Sequence, residues 1–170
     1  MNGHFLAFAR YLARSAQPAG RPAIWRGREV DAALTAQPTS PQRQTRALAL
    51  TPTNDPQALG LNGSISLIVQ ALGPGEQGRM HSHSFWHLYF VLKGRGASQI
   101  GSELISWSAG DSFYVPAWVD HDLQNLSTTE DAVVYSAQNL PEQAATGALM
   151  RKEGAGYMHI RADAAAPADA

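Results

Sequence analysis

Residues 75–94 read GEQGRMHSHSFWHLYFVLKG, and residues 110–125 read GDSFYVPAWVDHDLQN. These two stretches hold four histidines, His81, His83, His87 and His121, framed by Gly75, Gly94, Gly110, Pro116, Trp118 and Asn125. His81 and His83 are separated by one residue, so on a strand both face the same way. Their Cβ atoms then lie roughly 6.5 Å apart, from a rise of about 3.3 Å per residue. Imidazoles leaning toward each other across that gap can share one metal ion, with histidines from other strands completing the shell.

Outward from this pattern the chain breaks into short apolar segments punctuated by glycine. Strands are expected at 64–72, 79–84, 86–92, 97–100, 103–107, 112–115, 121–125 and 132–136. Turns are expected at Gly73-Pro74-Gly75, at 93–96, at Gly101-Ser102 and at 109–111. Strands this short with such regular turn signals point to an all-β sandwich or barrel. Parity turns His121, Leu123 and Asn125 inward and leaves Asp120, Asp122 and Gln124 to water. Arg79 shares parity with His81 and His83, where it can pair with a substrate carboxylate. Tyr89 shares parity with His87 and is a candidate hydrogen-bond donor or acid. Trp86 and Trp118 are candidate pocket walls. Gln99 and Gln138 are candidate acceptors for the far nitrogens of bound imidazoles. The opposite face of the His87 strand, Leu88, Phe90 and Leu92, is wholly apolar. A strand apolar on both faces is expected to be covered on both, by the N-terminal arm, a second sheet or a second copy, and a homodimer is the economical expectation.

The N-terminal region reads as a helix over residues 2–16, with Phe5, Phe8, Tyr11 and Leu12, then a proline-rich arm over 17–46. A short helix is expected at 29–36 and a strand at 46–50, followed by a loop at Asn54-Asp55-Pro56. One or two helical turns are expected at 142–149. The alanine-rich tail from Arg161 is expected to be disordered. The expected organisation is 1–45 as helix and arm, 46–140 as barrel, and 141–170 as a C-terminal extension.

Composition narrows the function. The chain of 170 residues has 13 basic and 14 acidic side chains, a net charge of -1, so no basic field invites nucleic acid. It has no cysteine, which removes disulfides, thiolate metal sites and a thiol nucleophile together. Imidazole and carboxylate remain as the strong ligands. No apolar run reaches the roughly 20 residues that span a bilayer. Arg10 and Arg14 interrupt the N-terminal apolar residues, and no basic residue precedes them, unlike a secretory signal. A cytoplasmic protein with no membrane partner is the expectation, and His4 and His159 are expected to be solvated.

The fixed intervals resemble the two-part motif of the cupin family over residues 75–125, with flanking strands from about 64 to 136. His87 stands where the family usually has Glu, and Trp118 where it usually has Gly. The stretches 92–98, 112–121 and 138–141 further resemble gentisate 1,2-dioxygenase and related ring-cleaving cupins, which use three histidines on ferrous iron and are usually built from two barrels. The resemblance implies an all-β double-stranded β-helix, a jelly-roll barrel, to which the residue pattern adds an N-terminal helical arm and a short C-terminal extension. It implies a metal site at His81, His83 and His121, with His87 as a fourth ligand. Fe(II) is the favoured ion, and an all-imidazole set also accepts Mn, Ni, Zn or Cu. The implied function is a non-haem dioxygenase-like oxidoreductase acting on a small aromatic or enolisable oxygen-bearing molecule. Two other readings stay open: a metal-dependent isomerase or decarboxylase using the ion as a Lewis acid, and a small-molecule-binding cupin without turnover.

Overall fold

Eleven strands and three helices are formed among the described residues of the structure, a computed structural model that describes residues 6–15, 22–38, 45–52 and 60–159. His4, the Asn54–Pro56 loop and the tail from Arg161 lie outside them. The strands are β1 Arg46–Leu50, β2 Ser66–Leu72, β3 Ser82–His83, β4 His87–Lys93, β5 Arg95–Ile100, β6 Glu103–Ser108, β7 Ser112–Val115, β8 Gln124–Asn125, β9 Ala132–Gln138, β10 Met150–Glu153 and β11 Gly156–His159. The helices are α1 Phe8–Ser15, α2 Gly27–Thr35 and α3 Leu140–Ala145. The all-β jelly-roll class is the observed one, and the expected strand at 79–84 shrinks to β3.

A five-stranded antiparallel sheet runs β1-β2-β9-β4-β7, and a three-stranded sheet β6-β5-β8 belongs to the other wall. Each β4 residue shows why the fold takes this form. His87, Tyr89 and Val91 are buried while Leu88, Phe90 and Leu92 stand outside, the alternation of a pleated strand with one face on a core. Val91 and Tyr89 join Leu72, Val115, Trp107, Leu123, Ala132 and Val134 in the inner core. That core is apolar below and carries imidazoles above, because β4 places His87 beyond Tyr89. Trp107 fits there because its indole N–H donates to Ser98 Oγ at 3.0 Å.

A second apolar cluster lies on the outer face of the large sheet. Val30 and Leu34 of α2 pack on Leu50, Val69, Ala71 and Val133. This covers the β1-β2-β9 half. The β4-β7 half stays bare: Leu88, Phe90, Leu92 and Tyr114 are 49, 45, 49 and 55% exposed. The expected cover over this face is therefore absent among the described residues of a single chain. Parity also fails at Arg79, which is exposed rather than turned in beside His81 and His83, and at Asp122. Asp122, expected in water, is buried, because Gln77 Nε2 and the Gln99 N–H both donate to its carboxylate, at 2.8 and 2.9 Å. The chain around it is too irregular for a period of two to hold.

The C-terminal segment holds a hairpin that the sequence reading left without structure. β10 and β11 pair with each other, and β10 pairs with β3, setting Arg151 opposite His83 and Lys152 opposite Ser82. The Gly154-Ala155-Gly156 turn is the local signal for it. The flanking residues Met150-Arg-Lys-Glu lack the apolar alternation that marks a strand, so partnership with β3 decides their conformation.

Gly96 is where two elements come closest. A Cβ there would meet Gln124 O at 2.1 Å and the Trp107 ring at 2.2 Å. Gly96→Ala is expected to destabilise the fold by at least about 2 kcal/mol through overpacking. Gly63→Ala, at a position with open space, is expected to change stability by less than about 0.5 kcal/mol. Urea unfolding of the two variants checks the contrast, and equal midpoints would contradict the close approach.

Candidate metal centre

His81 and His121 are joined through their backbones. The His121 N–H donates to His81 O at 2.8 Å, and the His81 N–H donates to His121 O at 3.1 Å. This is a hydrogen-bonded antiparallel pair, in which opposed side chains leave the ladder together. Their rings accordingly sit 4.5 Å apart between centroids. His83, two residues on, brings its ring to 5.4 Å from His81 and 4.9 Å from His121. One ring nitrogen from each of these three histidines lies within 4.8 Å of those of the other two.

The other nitrogens are fixed by carbonyls. His81 Nδ1 donates to Arg79 O at 2.8 Å, His83 Nδ1 to Phe85 O at 2.6 Å, and His121 Nδ1 to Val119 O at 2.8 Å. A ring that donates from Nδ1 carries its lone pair on Nε2. The acceptors are thus backbone oxygens two residues away. Gln99, one of the side-chain candidates, donates instead to Gly101 O. Phe85 stacks on His83 with centroids 3.7 Å apart and planes within 2°, so that ring is held by a face and an edge at once. His121 Nε2 is buried and has no hydrogen-bond partner among the described residues. Three imidazole lone pairs that converge, one of them orphaned, fit a divalent cation.

His87 differs. Its Nε2 lies 2.8 Å from His83 Nε2, and its Nδ1 is buried with no partner among the described residues. With the His83 proton on Nδ1, the hydrogen between the two Nε2 atoms belongs to His87. Among the described residues no carbonyl fixes its tautomer as carbonyls fix the other three.

Burial keeps the cluster uncharged. Desolvation is the main cause of depressed pKa values throughout, followed by the mutual repulsion of the imidazoles at His83 and His87. His81 is lowered to about 4, His83 to about 3 and His87 to about 2, and His121 is lowered as well. Neutral imidazole is the form that ligates a metal.

Of the remaining candidates, Tyr89 lies inside the core against His87, at 4.9 Å, and Phe113, at 4.8 Å. Burial raises its phenol pKa, so the hydroxyl stays protonated. Arg79 is exposed and reaches the site through its backbone carbonyl. Trp86 turns toward Tyr114 on the outer side, 6.3 Å away. Asn125 braces the strand end by donating to Leu72 O, Gly73 O and Glu130 O. Trp118 is left-handed, with φ 64°, a conformation costly for a bulky residue. Its N–H donates to His83 O at 2.8 Å, and its ring rests 6.1 Å from Tyr157. Sequence reasoning missed Arg151 and Glu153, whose charges act on His81. Only the pairing of β10 with β3 brings them here.

Residues 68–137 match the Cupin domain family. The chain is 25% identical to a 5-nitrosalicylic acid 1,2-dioxygenase from a Bradyrhizobium species, covering 83% of this chain and 70% of the relative. It is 31% identical to a 1-hydroxy-2-naphthoate 1,2-dioxygenase from a Nocardioides species, covering 48% of this chain but 21% of the relative. It is also 31% identical to a 5-aminosalicylate 1,2-dioxygenase from a Comamonas species, over 46% of this chain and 20% of that one. The crystal structure of salicylate 1,2-dioxygenase from Pseudaminobacter salicylatoxidans superposes with a TM-score of 0.67 at 20% identity, over 75% of this chain and 38% of the other. That likeness establishes the shared fold.

The depressed histidines make a prediction for metal-free protein. Each has a folded pKa below its unfolded value of 6.5. Its contribution is complete above pH 6.5 and is lost as pH falls from there toward the folded value. Each well-buried imidazole contributes a slope of up to about 1.4 kcal/mol per pH unit. The urea midpoint of chelator-treated protein is expected to fall steadily between pH 7 and pH 5, above the range where carboxylates titrate. A midpoint flat across that window would show the rings to be solvated.

Proposed function

We propose, taking residues 68–137 as the cupin domain that they match, that the protein is a metal-dependent dioxygenase acting on a small aromatic hydroxy-carboxylate. The carrying observation is the convergence of three carbonyl-oriented imidazoles inside the bore. His81, His83 and His121 hold the ion, with ferrous iron favoured. His87 stands beside His83 as a fourth nitrogen. A ferrous ion in this set would supply Lewis acidity and electron exchange with dioxygen. Neutral ligands leave its double positive charge uncompensated, which favours an anionic substrate.

The chain's own groups do the rest. Phe85 and the Phe85 carbonyl fix the plane of His83. The three carbonyl caps keep each Nδ1 protonated, so no ring turns its lone pair away from the bore. In the metal-free cluster His87 holds a proton at Nε2 against the His83 lone pair, a hydrogen bond that ion binding at His83 would displace. Tyr89 closes the floor under His87 with a hydroxyl that does not ionise in the working range. The substrate class is supported by relatives named for nitrosalicylate, aminosalicylate and hydroxynaphthoate, all hydroxylated rings bearing a carboxylate.

Anaerobic loading with ferrous iron, followed by oxygen-electrode assays against hydroxy- and dihydroxybenzoates, tests the reading. Stoichiometric oxygen consumption with loss of the aromatic absorbance is expected. His121→Ala should lower bound metal by at least about tenfold at fixed free metal, since lost ligands and their partners cost that much or more. Oxygen uptake with none of the substrates overturns the dioxygenase reading, and turnover persisting under nitrogen replaces it with Lewis-acid chemistry.

The bare half of the outer sheet face completes the proposal as the contact with a second copy. Leu88, Phe90, Leu92 and Tyr114 form an apolar strip beside the part that α2 already covers, and a contiguous strip of that kind marks an association surface. Sedimentation equilibrium is expected to give a dimer, and Phe90→Asp a monomer. A wild-type monomer at micromolar concentration excludes the dimer.

A further inference from the structure

The β10–β11 hairpin places a cation over the imidazoles. Arg151 pairs in register with His83, and opposed residues of an antiparallel pair leave the same face. Lys152, the next residue, pairs with Ser82 and lies on the other face. There it sits 3.7 Å from Asp120 Oδ2 and over the Tyr157 ring at 5.9 Å. The alternation therefore commits Arg151, not Lys152, to the histidine side. The Arg151 charge is felt at His81, His83 and His121 alike.

The guanidinium is only partly used. Its Nη2 forms an ion pair with Glu153 Oε1 at 2.6 Å, while its Nε is buried and has no hydrogen-bond partner among the described residues. Nε–H and a neighbouring Nη–H form a fork that takes both oxygens of one carboxylate. Here Glu153 leaves the Nε arm of it unpartnered. The side chain is 31% exposed and that of Glu153 32%, so the pair is reachable from solvent although Nε is not.

We propose that Arg151 receives the carboxylate of the aromatic ligand, and that Glu153 occupies the guanidinium until the ligand arrives. The assignment rests on the reading of the site as one for aromatic carboxylates. It moves the anion-binding role from Arg79 to a residue from outside the motif stretches. The ring hydroxyl then faces the histidine set while the carboxylate sits on the hairpin. A ring with both groups spans the two, and a ring lacking the carboxylate loses one anchor.

The test is binding. Zinc-loaded protein, which is redox-silent, is titrated calorimetrically with gentisate and with hydroquinone, the same ring without the carboxylate. Wild type is expected to prefer gentisate. Arg151→Gln is expected to weaken gentisate about 10- to 100-fold and to change hydroquinone less than about twofold, with zinc stoichiometry unaltered. Arg151→Lys, which keeps the charge and loses the fork, should fall between, and guards against a folding defect in the first variant. Glu153→Gln should tighten gentisate by removing the internal competitor. Equal losses for both ligands, or no loss for gentisate, overturn the assignment while leaving the metal site standing. If the protein takes up no zinc, the reading of the site fails separately. The same gentisate and hydroquinone comparison on metal-free protein then still judges Arg151, with the same outcomes.

Discussion

The backbone exchange between His81 and His121 is the constraint from which the site follows. Two hydrogen bonds tie segments forty residues apart, and the geometry of that pair leaves their side chains no choice but adjacency. His83 joins because it is two residues further along the same face. His87 joins because β4 returns with the opposite direction beside β9 and points the first of its inward residues at the same place. The cluster is thus a property of strand register before it is a property of histidine.

Register alone would leave four mobile rings. The carbonyls of Arg79, Phe85 and Val119 supply the missing order, each two residues from the ring that it orients. Such short-range partners need no distant side chain, so the orientation is built into the local path of the chain. Burial then keeps the rings uncharged at neutral pH. A pocket of like cations would repel itself and any metal, whereas a pocket of neutral lone pairs is held open for one.

The legible part of this design was what repeats. The His-x-His spacing, the inward set of β4 and the exact limits of β7 all follow from a period of two, and the glycine-punctuated strands announced the barrel class. What failed did so where local pattern yields to partners. Asp122 is buried because Gln77 and the Gln99 backbone satisfy it, which no periodicity records. The carbonyl caps were invisible because every residue has a carbonyl. The hairpin of β10 and β11 escaped because Met150-Arg-Lys-Glu is polar, and its strand character comes from lying against β3. Leu88, Phe90 and Leu92 were read as apolar correctly, but α2 reaches only the neighbouring half of that face.

Trp118 ties these levels together. Its backbone is forced left-handed while its N–H holds the His83 carbonyl and its ring lies against Tyr157. The His83 strand and the C-terminal hairpin, already neighbours in one sheet, are thereby also clamped by a residue from outside that sheet. Under the role proposed for Arg151, exchanging residues on the hairpin would alter which molecules are admitted, while the histidines go untouched. The strained indole is the seam along which the old scaffold and a new appetite can be joined.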